Sequence, residues 1–282
     1  MKTQIDFRPS PIAGQWYPGQ AKILASSVNG YIEAASLPEI SGDIIAVIAP
    51  HAGYRYSGPV AGHAFAAVRG FSPELVAIVS PMHQPYPQPL LTSAHQAYQT
   101  PLGSISIDHD AVNTLDEHLQ KKLGFGLSTI REDREHSLEI ELPFLQQALV
   151  GAFRLIPVMV RDQNPTVVQA LGLALANTLE ERNTLLVAST DLSHFYPQEI
   201  ANKLDQAMLQ RIEAFDPLAV LRAEEQGKAF ACGRGAVAAI LWAAEALGAD
   251  TVTIVNYATS GDVSGDKSQV VGYGAAVVTR QK

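Results

Sequence analysis

Apolar residues in this chain fall into short unbroken runs separated by longer amphipathic stretches. Asp43 to Ala49 (DIIAVIA), Glu74 to Ser80 (ELVAIVS), Arg154 to Val160 and Thr184 to Ser189 (TLLVAS) are rich in β-branched residues and read as buried strands. Gly58 to Val68, Asp110 to Lys122, Glu135 to Val150, Thr166 to Glu181, Gln198 to Ala214 and Arg234 to Leu247 carry helical patterns, with Pro143 expected to kink the third. Thr251 to Tyr257 and Val270 to Thr279 read as closing strands, antiparallel to one another across a Gly/Asp/Ser turn. Strand and helix alternate along most of the chain. That order predicts an α/β fold, a central mixed β-sheet flanked by helices on both faces. No repeat, linker or shift in composition divides it, so a single domain over residues 1–282 is expected.

Composition narrows the classes of function. Hydrophobic residues make up 47% and charged residues 17%, enough apolar surface for a sizeable core. The net charge of −8 repels phosphate backbones, so no nucleic-acid partner is expected. The richest apolar run, Ala236 to Ala249, is too short for a membrane helix and contains Glu245, so no membrane partner is expected either. Met1 to Gly14 lacks the apolar run of a secretory signal. The single cysteine cannot form an internal disulfide, which suits a reducing cytoplasm.

In open α/β sheets, ligands bind just past the carboxyl ends of the strands. After Asp43–Ala49 comes Pro50-His51-Ala52-Gly53-Tyr54; after Glu74–Ser80 comes Pro81-Met82-His83; after Thr184–Ser189 comes Thr190-Asp191-Leu192-Ser193-His194. The fold brings equivalent loops to one edge, so His51, His83 and His194 are expected to meet there. Tyr54 and Tyr56 either line that site or cover the sheet edge. Cys232, in Ala231-Cys232-Gly233-Arg234-Gly235, precedes a helix. It reads either as a small buried residue or as a functional thiol whose thiolate is favoured by the helix N-terminus and Arg234. His136 either belongs to a helix start or enters the site as an acid/base group. His63, His95, His109 and His118 read as structural or surface residues. There is no Walker loop, no GxGxxG after a strand and no GxSxG elbow. Histidines with a cysteine at one sheet edge point to a metal site, with a thiol or metal hydrolase as the weaker reading.

The segments PHAGYRYSGPVAGHA (50–64), SPMH (80–83), EHSLEIELPF (135–144), STDLSHF (189–195) and ACGRGAV (231–237), after an opening like PIAGQWYP (11–18), resemble the Memo family in order and spacing. Its prokaryotic members are called AmmeMemoRadiSam system protein B. The resemblance implies a fold similar to class III extradiol dioxygenases, with a cysteine replacing the carboxylate ligand of their iron site. It implies His51, His83 and Cys232 as metal ligands, Asp191, His194 and His136 as neighbouring catalytic groups, and Tyr54 and Arg234 as pocket lining. Iron, as Fe2+, is the expected ion, with copper or zinc as alternatives. The implied activity is redox or O2-related chemistry on an unknown small molecule. The alternative is a non-enzymatic metal-handling protein that partners AMMECR1-like and radical-SAM proteins. One departure is local: many relatives carry a second histidine where this chain has Gln84.

Overall fold

The computed structural model describes residues 5–281. In chain order, its first half contains β1 (Phe7–Arg8), α1 (Ala21–Ala34), β2 (Asp43–Ala49), α2 (Tyr54–Ala67), β3 (Leu75–Pro81), β4 (Leu90–Ser93), β5 (Ala97–Thr100), β6 (Gly103–Ser106), α3 (His109–Leu123) and β7 (Ser128–Ile130). A 3₁₀ turn, Glu139–Glu141, leads into α4 (Leu142–Ala148), β8 (Arg154–Val160), α5 (Pro165–Leu179), β9 (Thr184–Ser189) and β10 (His194–Tyr196). Then come α6 (Gln198–Glu213), α7 (Pro217–Glu225), α8 (Arg234–Ala246), β11 (Thr251–Thr259), α9 (Ser260–Ser264) and β12 (Val270–Arg280).

The nine-stranded main sheet runs β10-β12-β2-β9-β3-β8-β4-β7, with β11 also paired to β12. Its centre, β2-β9-β3-β8, is parallel, while β12 runs antiparallel to β2 and β4 antiparallel to β8, so the sheet is mixed. Every residue of β3 is buried, as an apolar run covered on both faces requires. Helices α5 and α8 pack on each other, and α8 also packs on β2, β3 and β9. Helices α1, α2 and α4 form a second group, with α2 against β2, β11 and β12. In α1 the buried positions Leu24, Val28 and Ile32 recur every four residues and form its inward stripe. A smaller sheet, β1-β5-β6, joins the main one through a bridge from Ile107 to Leu155 of β8. Among the described residues, no helix is long and apolar enough to cross a membrane.

Two local expectations change. The pattern from Glu135 to Val150 predicts one helix, but regular helix begins only at Leu142. Glu135 turns its own carboxylate onto the backbone N–H groups of His136 and Ser137, a local bond that competes with helix. Pro143 consequently lies in the first turn of α4, where its missing N–H costs nothing, and makes no kink. Tyr54 opens α2 instead of belonging to the preceding loop.

Register places the site. Ala49 of β2 pairs with Ser189 of β9, and Pro81 of β3 with Val160 of β8. The ends of the parallel strands therefore lie level, and the chain leaves all of them on one side.

Candidate metal centre

His51 follows β2 by two residues and is 1% exposed. Its backbone N–H donates to Asp191 Oδ1 at 2.8 Å, across the gap between the ends of β2 and β9. Its Nδ1 lies 2.9 Å from Ser189 Oγ, the last residue of β9. That hydroxyl also lies 2.7 Å from Ser137 O and 2.6 Å from Glu141 Oε1, all of them buried. On the other side of the ring, Nε2 is 3.2 Å from Cys232 Sγ.

His83 follows β3 by the same spacing. Glu135 grips it twice: Oε2 accepts from the His83 backbone N–H at 2.6 Å, and Oε1 lies 2.9 Å from Nδ1. A histidine held by a carboxylate at Nδ1 keeps Nε2 free and directed, the usual outer partner of a metal-bound imidazole. His136 sits over the same carboxylate, its Nδ1 3.3 Å from Glu135 Oε1. Its ring stacks on His83 at 4.9 Å between centroids and lies against Trp16 at 4.1 Å. One donor atom from each of His51, His83 and His136 lies within 4.8 Å of the others, close enough for one ion. These three histidines are the group that could hold a metal; Cys232 meets it through His51.

The loop carrying Glu135 and His136 is held from behind. Arg8 is 3% exposed and bonds Asp133, Glu139 at 2.7 Å and the carbonyl of Glu135 at 2.7 Å. Ser10 and Tyr17 also donate to Glu139. Gln84 lies against the same loop: with its amide turned to suit its neighbours, the side-chain oxygen accepts from the backbone N–H of Arg134 at 3.0 Å and of Glu135 at 3.3 Å.

Charge in the site follows from burial and from Glu135. Burial pulls His51 well below the usual imidazole range, and the neighbouring His136 and His83 add to this. His136 is lowered to about 4, chiefly by burial. Burial acts on His83 in the same direction and is the largest single effect, but the bond to Glu135 and the charges of Glu135 and Asp191 together outweigh it and the net shift is upward. Burial pushes Asp191 up to about 7 against the bonds from His51 and Ala52.

Cys232 corrects one expectation. It does precede α8, but burial and the charge of Asp191 raise its thiol strongly, so the helix N-terminus does not give a free thiolate. Arg234 does not supply positive charge here; its guanidinium pairs with Glu224. The backbone N–H of Asp191 donates to Sγ at 3.3 Å. Gly233 lets this loop approach β9, because any Cβ there would collide with the Ser189 carbonyl and Thr190.

The remaining residues singled out in the sequence are spread around this core. His194 begins β10 beside Phe195 and Phe230, and burial lowers its pKa. Tyr54 is taken up by the core: it packs with Tyr17, Tyr31 and Phe144, and its hydroxyl donates to Ile140 O at 2.7 Å. His95 is buried on Asp6 and the Arg131 carbonyl, and His63 lies on the Pro59 carbonyl. Sequence reasoning missed Ser189, Glu141, Trp16 and the Arg8 cluster. The one available signal was the run of acids at 135, 139 and 141 among apolar residues, since buried carboxylates demand partners.

Residues 8–277 match the model of the Memo-like protein family. A MEMO1 family protein of Nitrosopumilus maritimus is 34% identical, the match covering 95% of this chain and 98% of the relative. MEMO1 family proteins of Methanopyrus kandleri and Thermotoga neapolitana are 36% and 35% identical, over 97% and 96% of this chain and 99% of each relative. Among solved structures, an uncharacterised protein of Escherichia coli K12 superposes with a TM-score of 0.53 over 84% of this chain and 100% of its own. At 13% identity that likeness shows the fold alone.

Proposed function

This chain belongs to the Memo-like protein family, and on that premise we propose that it binds one transition-metal ion at His51, His83 and His136 for redox or O2-related chemistry on a small molecule. The observation that carries the reading is the convergence of three imidazoles, with His51 Nδ1 held by Ser189, His83 Nδ1 held by Glu135 and His136 set 3.3 Å from the same carboxylate. Neutral imidazoles suit iron, copper and zinc, and a sulfur beside them extends the range toward softer ions. Iron as Fe2+ is the ion proposed first. A bound ion of this kind supplies Lewis acidity and, for iron or copper, a one-electron couple.

The chain's own residues do the rest. Glu135 aims the His83 ring, and Ser189 aims that of His51. Trp16 lies against one face of the His136 ring. Asp191, bonded to the His51 backbone and set against the Cys232 sulfur, is placed to take or return a proton near neutrality. His194, close enough for its charge to act on His51 and to feel that of His83, is the second candidate proton carrier.

The test is metal content of protein purified without oxygen from iron-supplemented cells, for wild type and His51→Ala, followed by O2 uptake with a panel of small reductants. About one ion per chain, lost in the variant, supports the site. No ion in wild type, and none taken up on reconstitution, overturns it. A bound ion without O2 uptake keeps the site and favours metal handling over catalysis.

A further inference from the structure

We infer that Glu141 is a positioning residue held as a neutral carboxylic acid, whose O–H donates to Ser189 Oγ and thereby fixes His51 with its proton on Nδ1 and its lone pair on Nε2.

The inference follows from counting hydrogens at one hydroxyl. Ser189 Oγ has three buried neighbours: Ser137 O at 2.7 Å, Glu141 Oε1 at 2.6 Å and His51 Nδ1 at 2.9 Å. A serine hydroxyl carries one proton and two lone pairs. The Ser137 carbonyl can only accept, so it takes the serine proton. The other two neighbours must then both donate. For His51 that means Nδ1–H, which leaves Nε2 unprotonated toward Cys232. For Glu141 it means a protonated oxygen. An ionised Glu141 would compete with the Ser137 carbonyl for a single proton and leave two acceptors facing each other in a buried site.

The surroundings of Glu141 favour the same state. The side chain is 1% exposed, and its second oxygen, Oε2, has no hydrogen-bond partner among the described residues. An orphaned lone pair costs far less on a neutral carbonyl than on a carboxylate. No cation stands against it among the described residues: Asp191 opposes a negative charge there, and Tyr54, itself raised by burial, stays a neutral phenol. Burial accordingly raises Glu141 well above the usual carboxyl range. Glu141 does not touch the three histidines; it acts on His51 through Ser189.

Two readouts test this in metal-free protein and stand whether or not the proposed metal site is right. The infrared difference spectrum at pH 7 between wild type and Glu141→Gln should show a protonated-carboxyl C=O band that the variant lacks. Nitrogen NMR of the imidazoles should show His51 as the Nδ1–H tautomer in both proteins, because the glutamine amide N–H can replace the carboxyl donor. Absence of that band, or a wild-type His51 protonated on Nε2, overturns the inference. A third readout rests on the proposed metal site: Glu141→Gln should keep wild-type affinity for Fe2+, while Ser189→Ala should lose about 10–100-fold. Equal affinity in Ser189→Ala and wild type would remove the positioning role.

Discussion

Glu135 lies against two stacked histidines but acts on them differently. His83 lies 2.9 Å from Glu135 Oε1 and is raised, whereas His136, more buried and 3.3 Å away, is lowered to about 4. For His136 the unfolded chain holds the proton more tightly than the folded one. Its stabilising contribution is therefore present above the unfolded value near 6.5 and is lost as pH falls through about 4. The expected loss in metal-free protein is about 3 kcal/mol at most across that window. His51, lowered by burial, adds in the same direction, while His83 works against them: its contribution is lost only as pH rises through its raised value. Urea melts between pH 7 and pH 4 should show the decline, and His136→Asn should flatten it; an unchanged slope would mean that His136 is not the group responsible. Cys232 offers a second residue-scale test. Its thiol is neutral in the metal-free site, so sulfur ligation must release its proton. Calorimetry of Fe2+ binding in buffers of different ionisation enthalpy should show about one more proton released by wild type than by Cys232→Ser. Equal release would leave the three histidines as the whole protein donor set.

At the scale of elements, the site depends on how closely α8 approaches the end of β9. Gly233 has no room for a Cβ, because the Ser189 carbonyl and Thr190 occupy the space. Gly235 would meet only side chains, Val160 at 3.2 Å and Gln163 at 3.3 Å, and these can shift. Gly233→Ala should therefore cost about 1–3 kcal/mol in denaturant melts and weaken metal binding, with Gly235→Ala clearly milder. Similar effects from both variants would show that backbone approach is not what matters at Gly233. The same elements show what could be read from the chain. The central strands were legible because burial on both faces leaves continuous β-branched runs, and their shared direction then placed His51 and His83 together. The stretch 135–141 was not legible as anything but regular helix. Its acids and apolar residues match a helical pattern, and its real conformation is set by Arg8, far away in sequence. For the same reason His136 read as a neighbour of the site, while the geometry makes it one of the three clustered donors. The short strands β4 to β7 escaped because runs this brief carry too few positions to show a period.

Across the whole molecule, the histidines come from the main sheet and from a loop that the small sheet controls. Arg8 lies on β1, which pairs with β5, and its guanidinium rests over the Tyr98 ring at 5.0 Å. From there it reaches Asp133, Glu139 and the Glu135 carbonyl, so the position of β1 is transmitted to the carboxylate that aims His83. Buried ion pairs add little net stability compared with apolar packing, but removing one partner leaves an uncompensated charge. Arg8→Met should therefore destabilise the protein by about 3–5 kcal/mol, because Glu139 and Asp133 stay behind. Arg8→Met combined with Glu139→Gln should recover part of that loss by removing one stranded charge. The two variants separate stability from positioning. If β1 only clamps the chain, the double variant regains metal affinity along with stability. If Arg8 sets Glu135, affinity for Fe2+ stays low in the double variant even where urea melts show it fully folded, because the bond to the Glu135 carbonyl is still missing. The second result is expected, since Glu135 has two direct bonds to His83 and its main-chain carbonyl is bound by Arg8.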